Sequence, residues 1–191
     1  SDALEVMRIL GAEGLAVAIT DTVAHEPGFW GSLSGLPVAG TWQEVDLEML
    51  AAIKPDLILC YAKSPGQELE ARLGPLGIAV LRLDFYRPGT LEAEVELLGR
   101  VLDRREQART FLAWHRRAMD QVRSVAAAAP RPTRVYMESY SPFVAFGPGS
   151  GGFDLCRLAG GENIAAAMTV PFPQVTPEWV LQNDPDVLIK A

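Results

Sequence analysis

The sequence predicts an α/β protein of two lobes joined by one long rigid helix, and three observations carry that prediction. Helical and strand signals alternate through the first hundred or so residues, which is the pattern of a parallel sheet covered by helices. A single apolar stripe of helical period then runs from residue 104 to 129 and stops at Pro130 and Pro132. Strand and helix signals resume beyond it. A chain of 191 residues that is 49% apolar is long enough and apolar enough to bury a core. The expected division is an N-terminal lobe over 1–103, an interlobe helix over 104–129 and a C-terminal lobe over 130–191.

The elements follow in order. Leu4, Met7, Ile9 and Leu10 give a short amphipathic helix that Gly11 or Gly14 closes, and Leu15 to Thr20 reads as a buried strand. Thr22 to Gly40 is rich in Gly and Pro, contains His25, Phe29 and Trp30, and reads as a long functional loop. Asp46 caps a helix bearing Leu47, Leu50 and Ile53 that Pro55 ends; Asp56 to Tyr61 is the next strand. Ser64, Pro65 and Gln67 match the start of a helix to Leu73 through a capping box. Ile78 to Leu83 is a strand delivering Asp84, Phe85 and Tyr86, and Thr90 opens a helix to Leu102.

Asp103 and Glu106 repeat the capping-box pattern. The stripe behind them consists of Ala108, Phe111, Leu112, His115, Ala118, Met119, Val122, Val125, Ala126 and Ala129. A helix from Arg104 to Ala129 would measure about 39 Å at ~1.5 Å per residue, more than a small domain needs for its own packing. The second lobe has a strand from Arg134 to Glu138, a glycine-rich loop from Gly147 to Gly152 and a helix from Phe153 to Leu158 closed by Gly160 and Gly161. Thr176 and Pro177 start a helix to Leu181, and Asp186 to Ile189 is the last strand. Ser1 enters directly into helical pattern and Ala191 directly follows a strand, so the sequence reads as a fragment truncated at both ends.

The net charge is −7, from 17 Lys plus Arg against 24 Asp plus Glu. That excludes a protein built to lie on nucleic-acid phosphates or anionic lipid, which needs a basic face. No apolar run approaches the roughly 20 residues that span a bilayer. Cys60 and Cys156 sit in separate apolar runs and read as two buried thiols, with a disulfide as the alternative.

Familiar catalytic patterns fail on inspection. Gly147-Pro148-Gly149-Ser150-Gly151-Gly152 matches a dinucleotide loop literally, but that reading needs a further strand after the helix, where the sequence has Ala159-Gly160-Gly161-Glu162-Asn163. Pro148 also breaks the frame of a nucleophile elbow at Ser150. Only two histidines exist, so a histidine metal cage is not expected and no cofactor is called for. His115 lies on the apolar stripe as a core histidine; His25 is either a bystander or a ligand contact.

What recurs is an aromatic residue where a ligand would sit. In open α/β sheets ligands bind beyond the carboxyl ends of strands, and those ends present Tyr61, Tyr86 and Tyr140, with Trp30, Trp42, Phe143 and Phe172 in nearby loops. Each alone is better explained by packing than by recognition. Together they suggest a grip on a large, flat or partly apolar ligand. No nucleophile with its base, paired carboxylates or phosphate loop accompanies them, so binding without chemistry is the expectation.

Several segments, taken as a set, resemble the class III substrate-binding proteins of ABC importers, which take up iron–siderophores, haem and vitamin B12. They are Val38-Ala39-Gly40-Thr41-Trp42-Gln43 with Asp46-Leu47-Glu48; Lys54-Pro55-Asp56-Leu57-Ile58; Gly77-Ile78-Ala79-Val80; Ala159-Gly160-Gly161-Glu162-Asn163-Ile164; and Val170-Pro171-Phe172-Pro173-Gln174-Val175-Thr176-Pro177-Glu178. The resemblance implies two Rossmann-like α/β lobes with a ligand cleft between them and a strut helix that permits small hinge motion. It implies a strand missing before Ser1 and further elements missing after Ala191. It also implies a non-enzymatic, monomeric protein on the periplasmic or extracellular face of the membrane, in some members lipid-anchored.

The resemblance further assigns roles. Trp42, Tyr61 and Phe172 match aromatic ligand contacts, with cobalamin the favoured ligand, a ferric siderophore or haem next and a molybdate-type oxyanion as an alternative. Thr22 departs from the pattern, standing where an aromatic is expected. Glu48 and Glu178 match the glutamates that dock each lobe onto arginines of the membrane permease. Each also lies in the first turn of a helix, where a carboxylate complements the dipole by roughly 0.3–1 kcal/mol. The competing readings are a nucleotide- or flavin-using α/β enzyme and an interaction module whose cleft is vestigial.

Overall fold

The computed structural model describes residues 2–191. It divides into two compact units, one comprising residues through Phe85 with Ala93–Phe111, the other Tyr86–Glu92 with Leu112–Ala191.

The first unit opens with α1 (Asp2–Ile9), whose Leu4, Val6 and Met7 face inward, followed by a single 3₁₀ turn at Glu13–Leu15. The strand expected over residues 15–20 does not form. Only Ile19 bridges a neighbour, Val38, and Leu15 and Val17 stay exposed, because an extended segment becomes a strand only where another pairs with it. The segment expected to be a loop instead coils into α2 (Asp21–Ala24), α3 (Pro27–Trp30) and a 3₁₀ turn over Gly31–Gly35. Helix α4 (Leu47–Ile53) starts as expected: the Asp46 carboxylate accepts from the Met49 amide at 2.9 Å.

Strand β1 (Leu57–Tyr61) precedes α5 (Glu68–Leu73), and β2 (Ala79–Leu83) pairs with β1 in parallel, Leu57 opposite Ala79 and Tyr61 opposite Leu83. Leu50, Leu69, Leu73 and Ile78 form the core against this pair. The expected cap at Ser64 is absent, because its hydroxyl donates to the Trp42 carbonyl instead. Helix α6 (Pro88–Val101) begins two residues before Thr90.

Helix α7 (Arg105–Ala128) is the long element: 24 residues, about 36 Å at ~1.5 Å per residue. Asp103 does not cap it. Asp103 takes a left-handed conformation, φ 55°, and closes α6 instead, with the Arg104 amide returning to the Gly99 carbonyl. Of the stripe, Ala108 and Leu112 are buried, whereas Val122 and Val125 are exposed.

In the second unit β3 (Thr133–Glu138) is the central strand of a parallel sheet ordered β4-β3-β5. Helix α9 (Pro177–Gln182) is capped by Thr176 as expected, whereas α8 (Gly151–Leu158) starts two residues before the expected Phe153 and is capped by Ser150, a residue expected within the glycine loop. Strand β5 spans Val187–Lys190. The closing glycines of α8 lead into β4 (Gly161–Asn163), a strand that the sequence does not announce. Tyr136, Ala145, Ala165 and Val175 centre this core. No helix among the described residues is long and apolar enough to cross a membrane.

Candidate functional site

In the first unit the structure brings Trp42 and Tyr61 into one connected set. Trp42 tops a tight turn in which the Thr41 hydroxyl accepts from the Gln43 and Glu44 amides, each at 3.1 Å, and the ring is 60% exposed. Tyr61 ends β1 half-buried. Ser64, bridged to Tyr61 within the following loop, donates its hydroxyl to the Trp42 carbonyl at 2.9 Å. Arg82, on β2, reaches the carbonyls of the same loop. A lone charge in the run Ala79–Leu83 was the signal that could have singled it out.

His25 and Trp30 lie elsewhere in this unit. His25 is exposed, and its Nδ1 donates to the Asp21 carbonyl at 2.8 Å, closing α2. Trp30 is 4% exposed and stacks edge-on with Phe29, centroids 4.9 Å apart, while the Arg8 guanidinium lies over both rings. The ring that this segment offers to solvent is therefore that of Phe29.

The second unit holds Tyr140, Phe143 and Phe172 on two strand-like segments. Amides of Ala145 and Gly147 donate to the carbonyls of Pro173 and Pro171, and the Val175 amide to that of Phe143. Tyr140 is 76% and Phe172 55% exposed, and Phe172 leans on Phe146 with centroids 5.9 Å apart. Phe143 has φ 58°, a left-handed conformation held from both sides: its amide donates to Glu138 Oε2 at 2.8 Å. That donation, joined by Lys190 and the Tyr136 hydroxyl, keeps the Glu138 carboxyl below the usual carboxylate range. Burial together with Glu138 pushes the Tyr136 phenol up to about 12. Glu138 is a supporting residue that sequence reasoning missed. Tyr86 is half exposed.

Glu48 and Glu178 are both exposed, in the first turns of α4 and α9, one in each unit.

The glycine loop before α8 has the topology that a dinucleotide site needs, since β4 follows α8 and pairs in parallel with β3. What it lacks is room. A Cβ at Gly147 would fall on the Val170 carbonyl, at Gly151 on that of Tyr86 and at Gly152 on the Phe146 ring, so these glycines admit the protein's own chain. Ser150 is consumed as well: its hydroxyl donates to the Gly147 carbonyl at 2.7 Å and accepts from the Phe153 amide.

Cys60 and Cys156 are free thiols, and burial pushes both up, away from the thiolate form that a nucleophile needs. His115 faces Glu92 at 3.5 Å, with Arg116 on the other carboxylate oxygen. Among the described residues no group of three or more His, Cys, Asp or Glu could hold a metal ion.

The family profile described as periplasmic binding protein matches residues 2–191. The vitamin B12-binding protein of Yersinia pestis (strain Pestoides F) is 28% identical over 159 residues, which are 83% of this chain and 56% of that relative. The chain thus spans little more than half the length of that relative. The crystal structure of the periplasmic vitamin B12 binding protein BtuF of Vibrio cholerae superposes with TM-score 0.80 at 23% identity, over 99% of this chain and 72% of the other. That of the periplasmic haem binding protein HutB of the same organism gives 0.82 at 17% identity, over 98% and 72%. At these identities the superpositions establish a shared fold.

Proposed function

The chain belongs to the periplasmic binding protein family, and from that premise we propose that it captures a metal chelate for an ABC importer and hands it to the membrane permease. The ligand class is a large, partly apolar one: cobalamin first, then haem or a ferric siderophore. The observation that supports this is the presentation of Trp42, Tyr140 and Phe172 as exposed rings on hydrogen-bonded turns and strand-like segments. A protein spends such apolar surface on solvent where a ligand is to cover it. Trp42, Tyr61, Tyr140, Phe143 and Phe172 are the proposed contacts, with His25, Trp30 and Tyr86 in supporting places.

On this reading the protein works on the periplasmic or extracellular face, as a monomer held near the membrane by a lipid anchor, and Glu48 and Glu178 dock the permease. Capture without chemistry fits the full employment of Ser150 as a cap and the upward-shifted thiols. Vitamin B12 and haem, the ligands of the similar proteins named above, support the ligand class.

Thermal denaturation of the intact protein with hydroxocobalamin, haemin, a ferric siderophore and molybdate tests the proposal. A cognate ligand at a hundredfold its dissociation constant adds about 2.7 kcal/mol to stability. Stabilisation by one chelate and not by molybdate is expected; no shift with any chelate overturns the reading.

A further inference from the structure

Strand β2 carries one charged residue, Arg82, among Ala79, Val80, Leu81 and Leu83. Its side chain is 18% exposed, and all of its bonds fall in one neighbourhood. Nη1 donates to the Pro65 carbonyl at 2.7 Å and to that of Tyr61 at 3.4 Å; Nη2 donates to the Gly66 carbonyl at 2.9 Å. Nε and Nη2 also fork onto the two carboxylate oxygens of Glu70, the latter at 2.9 Å. A partner for Glu70 alone would have no reason to gather three backbone carbonyls from the loop that follows β1. Those carbonyls are spread along the loop, so a planar fork with several fixed donors can hold them together and a point charge cannot.

The same loop carries Tyr61 at its start and, through the Ser64 hydroxyl, grips the Trp42 carbonyl at 2.9 Å. Contacts therefore run without a break from Arg82 to the Tyr61–Gly66 loop and on to the Trp42 turn, all within one unit. We propose that Arg82 is a positioning residue for ligand capture: aligned by Glu70, it fixes the Tyr61–Gly66 loop and, through Ser64, the turn that presents Trp42. The role rests on reading Trp42 and Tyr61 as ligand contacts. Holding both rings in place beforehand removes the ordering cost that a mobile loop would levy on binding. The Glu70 carboxyl, held down to about 2 by Arg82, keeps the pair charged at neutral pH, so the clamp is a fixed support and not a pH switch.

The test uses the intact protein labelled with 5-fluorotryptophan, the Trp42 ¹⁹F resonance being assigned with Trp42→Phe. Arg82→Lys, Arg82→Gln and Glu70→Gln are compared with wild type in the spectrum and in titrations with hydroxocobalamin and haemin. Arg82→Lys and Arg82→Gln should shift and narrow the Trp42 line, leave the Trp30, Trp114 and Trp179 lines in place, and weaken the probe that wild type binds by about tenfold. Glu70→Gln, which keeps the carbonyl bonds, should do the same to a smaller degree. Should Arg82→Gln fail to fold, Arg82→Lys and Glu70→Gln decide. An unmoved Trp42 line overturns the proposal whatever the titrations show, and so does a moved line with unchanged affinity. If wild type binds neither probe while the line moves, the two rings are not contacts for these chelates and the role in capture falls, although the clamp itself stands.

Discussion

Arg131 and Asp186 meet fork to fork: Nη1 lies 2.8 Å from Oδ2 and Nη2 2.9 Å from Oδ1, and Oδ2 also accepts from the Arg134 amide at 2.9 Å. One carboxylate thus ties the entry of β3 to the entry of β5. These donors hold the Asp186 carboxyl far below the usual carboxylate range. A group whose folded-state pKa is depressed contributes stability above its unfolded value, about 3.9 for Asp, and that contribution is lost as pH falls toward the folded value. Asp186→Asn should therefore melt below wild type at neutral pH, with the gap shrinking steadily below about pH 4. A gap that stays constant through acid would refute the pairing.

Leu73 is fully buried among Leu50, Leu69 and Ile78. Leu73→Ala should cost about 2–5 kcal/mol in urea unfolding, from lost burial plus the cavity left behind. A loss under about 1 kcal/mol would mean that the core collapses to fill the gap.

Trp42→Ala removes an exposed ring and leaves the Thr41 turn intact. Affinity for the cognate chelate should fall by ~1–3 kcal/mol in calorimetric titration, with the melting temperature unchanged. Unchanged affinity would take Trp42 out of the site.

Replacing both Glu48 and Glu178 with Gln should leave ligand affinity nearly as it was and lower permease association and uptake, because charge-assisted pairs with arginine both steer and hold a docked partner. Uptake equal to wild type would end the docking role.

Local hydrogen bonds were legible in the sequence, and distant ones were not. Asp46 and Thr176 cap their helices by accepting an amide three residues ahead, a bond written into adjacent residues. Ser64 has the same pattern, but its hydroxyl goes back 22 residues to Trp42. Asp103 looks like a cap until α6 needs closing. Strand β4 has no apolar alternation in Gly-Glu-Asn and exists because β3 pairs with it. For the aromatic residues, type could be read and exposure could not: Phe29 and Trp30 are neighbours under the same Arg8 guanidinium, yet one is exposed and the other buried. Arg82 stands out as a lone charge in an apolar strand, but its role and that of Glu138 escaped notice because the contacts that tie them to the loops are to backbone groups. These are the carbonyls of Tyr61, Pro65 and Gly66 and the amide of Phe143, which leave no trace in residue identity.

If Phe143 and Phe172 contact the ligand as proposed, the pairing of the 143–147 and 171–175 segments constrains any change of ligand preference. Phe143 and Phe172 belong to one hydrogen-bonded ribbon, in which the Val175 amide holds the Phe143 carbonyl at 2.8 Å and Phe172 rests on Phe146. Grafting either segment alone from another binder would shear that ribbon and displace the ring left behind. A redesign must transplant the two stretches as a single cassette.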